Sequence, residues 1–235
     1  MPDTGLRLSI VVPTYNESGN IAELLRRLVA TLGDEGWELI FVDDDSPDHT
    51  AQRVRDLART DRRVRCVQRI GRRGLSSACV EGMLAASAPV IAVMDADLQH
   101  DESILPAMRE QIESGRAELV IGTRYAAGGS TGDWDARRRW MSRVATQASH
   151  AVLRQPVSDP MSGFFMLDRG VLELVVRRLS AIGFKILMDI VASAPRPLRI
   201  AEVPYTFRDR FSGESKLDSF VIWEYLMLLA DKTVG

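Results

Sequence analysis

The chain is poor in cysteine and histidine, lacks any low-complexity tract, and has no apolar run long enough to cross a bilayer. Two cysteines and three histidines among 235 residues exclude a disulfide framework and a metal cluster built from those side chains. Cys66 falls in a strand-like run and Cys79 in a helix-like one, so a reducing compartment is expected. His49 and His150 have no partners at metal-ligand spacing. The longest apolar stretch, 220–230, is too short to span and carries Glu224. It reads as a buried or interfacial helix. A signal peptide is not expected, because the first residues lead directly into a strand. Charge of one sign is also lacking: 30 basic against 32 acidic residues leave −2, which argues against bulk nucleic-acid binding. Neither the dinucleotide-binding G-x-G-x-x-G nor a Walker A sequence is present.

What remains is an ordinary soluble composition, 46% hydrophobic and 26% charged. No linker divides it, so residues 1–235 are expected to form a single domain. Arginine far outnumbers lysine, and guanidinium groups suit bidentate phosphate contact.

The first half alternates. Strands are predicted over 8–12, 37–42, 64–67 and 90–94, with helices over 20–32, 50–59 and 75–86. Ile21, Leu24, Leu25 and Leu28 show the helical spacing. Strands apolar on both faces predict a parallel sheet covered by helices. In such sheets ligands bind beyond the carboxyl ends of the strands. Three polar segments fall there: Pro13-Thr14-Tyr15, Asp43-Asp44-Asp45 and Asp95-Ala96-Asp97. Farther on, strands are expected over 119–122, 164–167 and 198–203. Helices are expected over 136–153, 171–179, 185–192 and 219–230, with a Gly-rich stretch at 127–133 and a polar loop at 208–217.

The Asp95/Asp97 pair carries the most chemistry. Two hard oxygen donors ejected from a strand end can hold a divalent cation, and the cation a diphosphate. An acidic loop capping a helix near Ser103 is the competing reading. Pro13 is expected to stop the first strand, Tyr15 offers an aromatic face for a base, and Asn16 or Ser18 can cap the next helix. Crowding Asp43, Asp44 and Asp45 is costly unless cations or N–H donors face them; Ser46 or Asp48 can cap the helix near Thr50. Gly71-Arg72-Arg73-Gly74-Leu75-Ser76 is a small-residue helix entry suited to an anion. His100 reads as a supporting group, Phe164, Phe165 and Met166 as core, and Asp159 as a turn residue or part of an acceptor site. Asp189 is assigned no role.

Taken together, these segments resemble the family-2 glycosyltransferases of the GT-A fold, in their dolichyl- or polyprenyl-phosphate mannosyltransferase branch. The branch is carried by Ser158-Asp159-Pro160-Met161-Ser162-Gly163-Phe164-Phe165 and Arg210-Phe211-Ser212-Gly213-Glu214-Ser215-Lys216-Leu217. Segments 13–17, 42–48, 74–78, 94–100 and 122–125 match in order. The resemblance implies an α/β, Rossmann-like, mostly parallel sheet flanked by helices, with a C-terminal interfacial helix. It implies that Pro13, Tyr15, Glu17, Val42 and Asp44 surround the nucleoside of GDP-mannose, with Ala96 near the nucleotide. Asp95, Asp97 and Gln99 would hold Mg²⁺ or Mn²⁺. Arg210 and Lys216 would close over the donor, and Arg124, Arg138 and Ser142 would hold the phosphate of a polyprenyl or dolichyl acceptor. Asp97, Arg124, Arg210 and Lys216 would thus carry the reaction.

The implied product is a β-linked lipid phosphate mannose, made at the cytoplasmic face of a membrane. Trp134 to Arg143, rich in tryptophan and arginine, fits a headgroup interface, or else a solvated basic helix. Some relatives continue into a membrane domain; this chain is expected to be a catalytic domain without one. A UDP-sugar donor, glucose for example, with undecaprenyl phosphate is the enzymatic alternative. A receiver-like signalling domain is the non-enzyme one, and it is disfavoured because the first strand ends in Pro13-Thr14-Tyr15 rather than an acidic pair.

Overall fold

The computed structural model describes residues 5–124, 153 and 155–208. The predicted helix over 136–153 except its last residue, the helix over 219–230, and Tyr125, Arg138, Ser142, Arg210 and Lys216 lie outside the described residues.

The described elements run in chain order as β1 (Leu8–Thr14), α1 (Ile21–Leu32), β2 (Trp37–Asp43), α2 (Thr50–Ala58), β3 (Val64–Gln68), α3 (Leu75–Ala85) and β4 (Val90–Val93). A 3-10 turn over Glu102–Ile104 leads into α4 (Leu105–Glu113), followed by β5 (Leu119–Thr123), β6 (Phe165–Asp168), α5 (Arg169–Val175), α6 (Ile186–Ser193) and β7 (Ile200–Pro204). The strands form one sheet in the order β3-β2-β1-β4-β6-β5-β7. The mostly parallel α/β sheet expected from the alternation is present.

Side chains alternate between two cores. Val11, Ile40, Val42, Ile91, Val93 and Phe165 face α3, α5 and α6. Ile10, Val12, Leu39, Phe41, Ala92 and Met166 face α1, α2 and α4. Helix α3 lies so close to the sheet that a Cβ at Gly82 would overlap Val11 and come within 2.8 Å of Val42 Cγ2.

One strand runs against the rest. β6 pairs antiparallel with β4 through Val93↔Phe165 and with β5 through Ile121↔Phe165. β4 and β5 therefore point the same way, and β5 pairs parallel with β7. The carboxyl ends of β1, β2, β4, β5 and β7 share one edge. The reversed β6 brings its leading segment, Asp159 to Phe164, to that edge as well.

Local details depart from the sequence reading. Pro13 does not stop β1; it pairs with Val42, and the strand runs to Thr14. The last β1–β4 pair is Val11↔Val93, so Pro13 sits where one flank of β1 is already open and its missing N–H costs little. Neither Asn16 nor Ser18 caps α1; Asn20 holds that position, without a side-chain cap. The helix expected over 171–179 spans Arg169–Val175 and tightens into a 3-10 turn over Val176–Arg178.

Candidate active site

The loops after β1 and β2 are strapped together. The backbone N–H groups of Asn16, Glu17 and Ser18 donate to Ser46 Oγ, Thr50 Oγ1 and Asp48 Oδ2, each at 3.0 Å. Neither Ser46 nor Asp48 holds the N-cap of α2, which is His49, although Asp48 accepts from the Thr50 N–H in its first turn. Pro13, Tyr15, Glu17, Val42 and Asp44 therefore lie on two joined loops at one edge. The Val42 side chain is packed in the core, so only its backbone can face a ligand.

The crowded carboxylates are each answered. Asp43 accepts from the Ser46 N–H and Oγ and from Thr14 Oγ1. Asp45 accepts from Gln68 Nε2 at 2.8 Å. Asp44 is held on both oxygens, by Arg69 Nη1 at 2.6 Å and by the Gly74 N–H at 2.7 Å. Burial pushes its pKa up, while Gly74 and Arg69 pull it down.

Arg69 was not singled out from the sequence. It is 2% exposed and also reaches Ser77 Oγ and the Gly74 carbonyl, binding the entry of α3 to the end of β2. Its only sequence signal is its place one residue past a strand and before the glycines, among several other arginines. Arg72 pairs with Glu81, and the Arg73 guanidinium lies 4.4 Å from the centre of the Tyr15 ring, over the face offered to a base.

Beyond β4, Asp95 and Asp97 stand two residues apart. The Asp95 carboxylate is 40% exposed, whereas Asp97 is buried and accepts from the Gln99 N–H at 3.2 Å. Leu98 adopts φ 64, a left-handed turn that folds Gln99 back. Gln99 Nε2 donates to the Arg208 carbonyl at 3.1 Å, so the part of Gln99 suited to a cation is its amide oxygen. At Gly163 an added Cβ would lie 3.1 Å from Asp95 Oδ2. The space beside that carboxylate exists because residue 163 has no side chain. Two carboxylates and one amide oxygen are the kind of donor that suits a hard divalent cation.

His100 stands behind this loop. Its Nδ1 accepts the Asp95 N–H at 3.1 Å, so the ring proton is on Nε2, and the ring stacks on Phe164 with centroids 5.1 Å apart. Tyr205 and Phe207 meet it edge-on. Burial lowers its pKa to about 4, against the pull of Asp97 and Asp159 and with the help of Arg124. The imidazole is therefore neutral, a buried support rather than a ligand. The unfolded chain takes up a proton near pH 6.5 that the folded one refuses until about 4. Stability is thus expected to fall as pH drops through that window, by on the order of 3 kcal/mol in all. A proton NMR titration should find one histidine ring titrating near pH 4; three ordinary histidine titrations would contradict this.

At the end of β5, Arg124 forms a two-pronged pair with Asp159, Nε to Oδ2 at 2.8 Å and Nη2 to Oδ1 at 2.9 Å. The carboxylate is fully buried and the arginine side chain only 9% exposed. Phe207 lies under the guanidinium at 5.4 Å. Asp159 is therefore more than a turn residue: it aims Arg124. Among the described residues the structure thus brings together the expected donor, metal and Arg124 positions at one edge.

The comparisons agree with this architecture. The model of glycosyl transferase family 2 matches residues 9–175. A dolichol-phosphate mannosyltransferase of Pyrococcus furiosus is 40% identical over 223 residues, 94% of this chain, which spans 62% of that protein's length. One of Saccharomyces cerevisiae is 40% identical over 235 residues, covering 96% of this chain and 86% of its own. Among solved structures, a glucosyl-3-phosphoglycerate synthase from Mycobacterium tuberculosis superposes with a TM-score of 0.68 at 20% identity, over 98% of this chain and 81% of that one, a likeness of fold. The chain belongs to glycosyl transferase family 2 and has the GT-A type of fold. It is a glycosyltransferase.

Proposed function

We propose that the enzyme transfers mannose from GDP-mannose to dolichyl or polyprenyl phosphate, inverting the anomeric carbon to give a β-linked lipid phosphate sugar. The observation that carries this reading is the meeting, on one sheet edge, of the Asp95/Asp97/Gln99 oxygens with the Arg124–Asp159 pair. Relatives bearing the dolichol-phosphate mannosyltransferase name, at 36–40% identity, support the choice of sugar and lipid.

The chemistry needs no general base. The acceptor phosphate is anionic at neutral pH, and one of its oxygens attacks the anomeric carbon as the bond to the nucleotide diphosphate breaks. The electron pair leaves with the diphosphate. The difficulty is charge: two unit anions about 4 Å apart repel by about 4 kcal/mol at an effective dielectric of 20. Asp95, Asp97 and Gln99 would hold Mg²⁺ or Mn²⁺, which when bound supplies positive charge to the donor diphosphate. In this reading Arg124, with Arg138 and Ser142, would bind the acceptor phosphate, and Arg210 and Lys216 would bind the donor. Catalysis then rests on positioning and on stabilising the departing diphosphate. Among the described residues no helix is long and apolar enough to cross a membrane. The reading is of a peripheral enzyme that meets its lipid at the cytoplasmic face.

The test is a donor panel with farnesyl phosphate, with and without EDTA. Transfer from GDP-mannose, abolished by EDTA and restored by Mg²⁺ or Mn²⁺, is expected. Transfer from UDP-glucose alone would replace the donor assignment, and turnover unaffected by EDTA would remove the metal.

A further inference from the structure

The sequence holds three lysines, at 185, 216 and 232, in a chain whose other basic side chains are arginine or histidine. Lys185 is the one among the described residues, and the fold takes it to the active edge. The loop before α6 is fixed twice. The buried Asp189 accepts from Ser180 Oγ at 2.9 Å and from the Ala181 N–H at 3.0 Å. At Gly183, φ 73, the carbonyl accepts the Ser76 N–H at 3.1 Å. Ser76 lies in the first turn of α3 at the carboxyl edge of the sheet, so Gly183 is pinned there and Lys185, at the N-cap of α6, follows two residues later.

Among the described residues, the charges that act on the Lys185 ammonium include Arg124, Asp159 and Asp95. Among the described residues no carboxylate lies within ion-pair distance of it. The half-buried ammonium is thus placed beside the site, and none of the ion pairs among the described residues neutralises it. Burial, and Arg124 after it, lower its pKa from the ordinary lysine value. Asp159, by contrast, already cancels the charge of Arg124 through two hydrogen bonds. A neutral Arg–Asp pair beside the Asp95 carboxylate offers a phosphate geometry but no net positive charge. Among the described residues, Lys185 is the cation that supplies that charge, in addition to the Arg138 of the proposed acceptor set.

We propose that Lys185 is a further substrate-binding residue, its ammonium contacting the acceptor's phosphate between the Arg124–Asp159 pair and Asp95. The inference rests on the reading of the site as one that joins a lipid phosphate to a nucleotide-bound sugar, and it adds a residue to the acceptor side. Lys185 binds the phosphate oxygens and leaves the bond-forming step to them: one oxygen bonds to the anomeric carbon, the nucleotide diphosphate departs with its electron pair, and the lysine keeps its proton. Arg124 gives direction, and the ammonium gives net attraction, as a compact point charge does.

Lys185→Gln keeps most of the stem and removes the charge; Lys185→Arg keeps the charge. Kinetics with farnesyl phosphate and GDP-mannose should show the glutamine variant raising the acceptor KM about tenfold or more, with the donor KM changed less than about twofold. The arginine variant should recover part of the loss. An unchanged acceptor KM, or equal rises for both substrates, would overturn the assignment. Calorimetric titration of farnesyl phosphate alone reads the contact without turnover. Wild-type affinity in the glutamine variant would defeat the inference whatever the donor proves to be. Transfer from a UDP-sugar with the acceptor effect intact would instead correct the donor and leave Lys185 in place.

Discussion

Replacing Asp97 with asparagine is expected to lower transfer by about a thousandfold or more while the protein stays folded. The figure follows from the several kcal/mol that a correctly held cation contributes to charge developing on a leaving diphosphate. Asparagine keeps an oxygen to accept the Gln99 N–H and so preserves the turn, but it removes the negative charge. The loop is anchored by Met94, Ala96 and Leu98, which are buried in the core beside α1 and α4 and which the substitution leaves in place. The thermal midpoint should therefore move little. Measured kcat falling with an unchanged circular dichroism spectrum would fit, and titration of Mn²⁺ should show weakened binding in the variant. Near-wild-type turnover at saturating metal would remove Asp97 from the cation site. Asp95→Asn is expected to act in the same direction, because Asp95 is the more exposed of the two oxygens sets.

Much of this arrangement was legible in the chain because short apolar runs alternate with amphipathic helices, and parallel topology then dictates which ends gather ligands. The predicted helical face of α1, from Ile21 to Leu28, is the buried one. What local pattern could not supply was pairing across distance. Nothing in a run as short as Phe165–Asp168 says that it enters the sheet reversed between β4 and β5. Yet that reversal brings Asp159 to Arg124, 35 residues earlier. Arg69 escaped notice for the same reason: its partners Asp44 and Ser77 lie 25 and 8 residues away, and an arginine after a strand has no distinguishing context. Pro13 was misread because its cost depends on whether a neighbouring strand is still paired, a property of the sheet rather than of the residue.

The Arg124–Asp159 pair offers the second large effect, and here stability and activity should part company. Removing either partner leaves a charge stranded in a site where the carboxylate is fully buried and the arginine nearly so. Arg124→Leu and Asp159→Leu should each cost about 3–5 kcal/mol, read from urea midpoints. The double variant discards both charges together, and apolar side chains of similar size often replace a buried pair at little cost. Its stability should return to within about 2 kcal/mol of wild type. Activity should not return. Without the guanidinium the acceptor phosphate loses its oriented donors, so transfer to farnesyl phosphate should stay about a hundredfold or more below wild type in both Arg124 variants. Asp159→Leu tests the order of cause: with Arg124 present but unaimed, activity should fall although the cation remains. If the double variant regained both stability and turnover, the pair would be a structural strut and the acceptor phosphate would have to be held elsewhere. If it regained neither, the desolvated pair would be contributing more to the fold than its two side chains' burial implies. Recovery of stability alone is the result that places the guanidinium in the reaction.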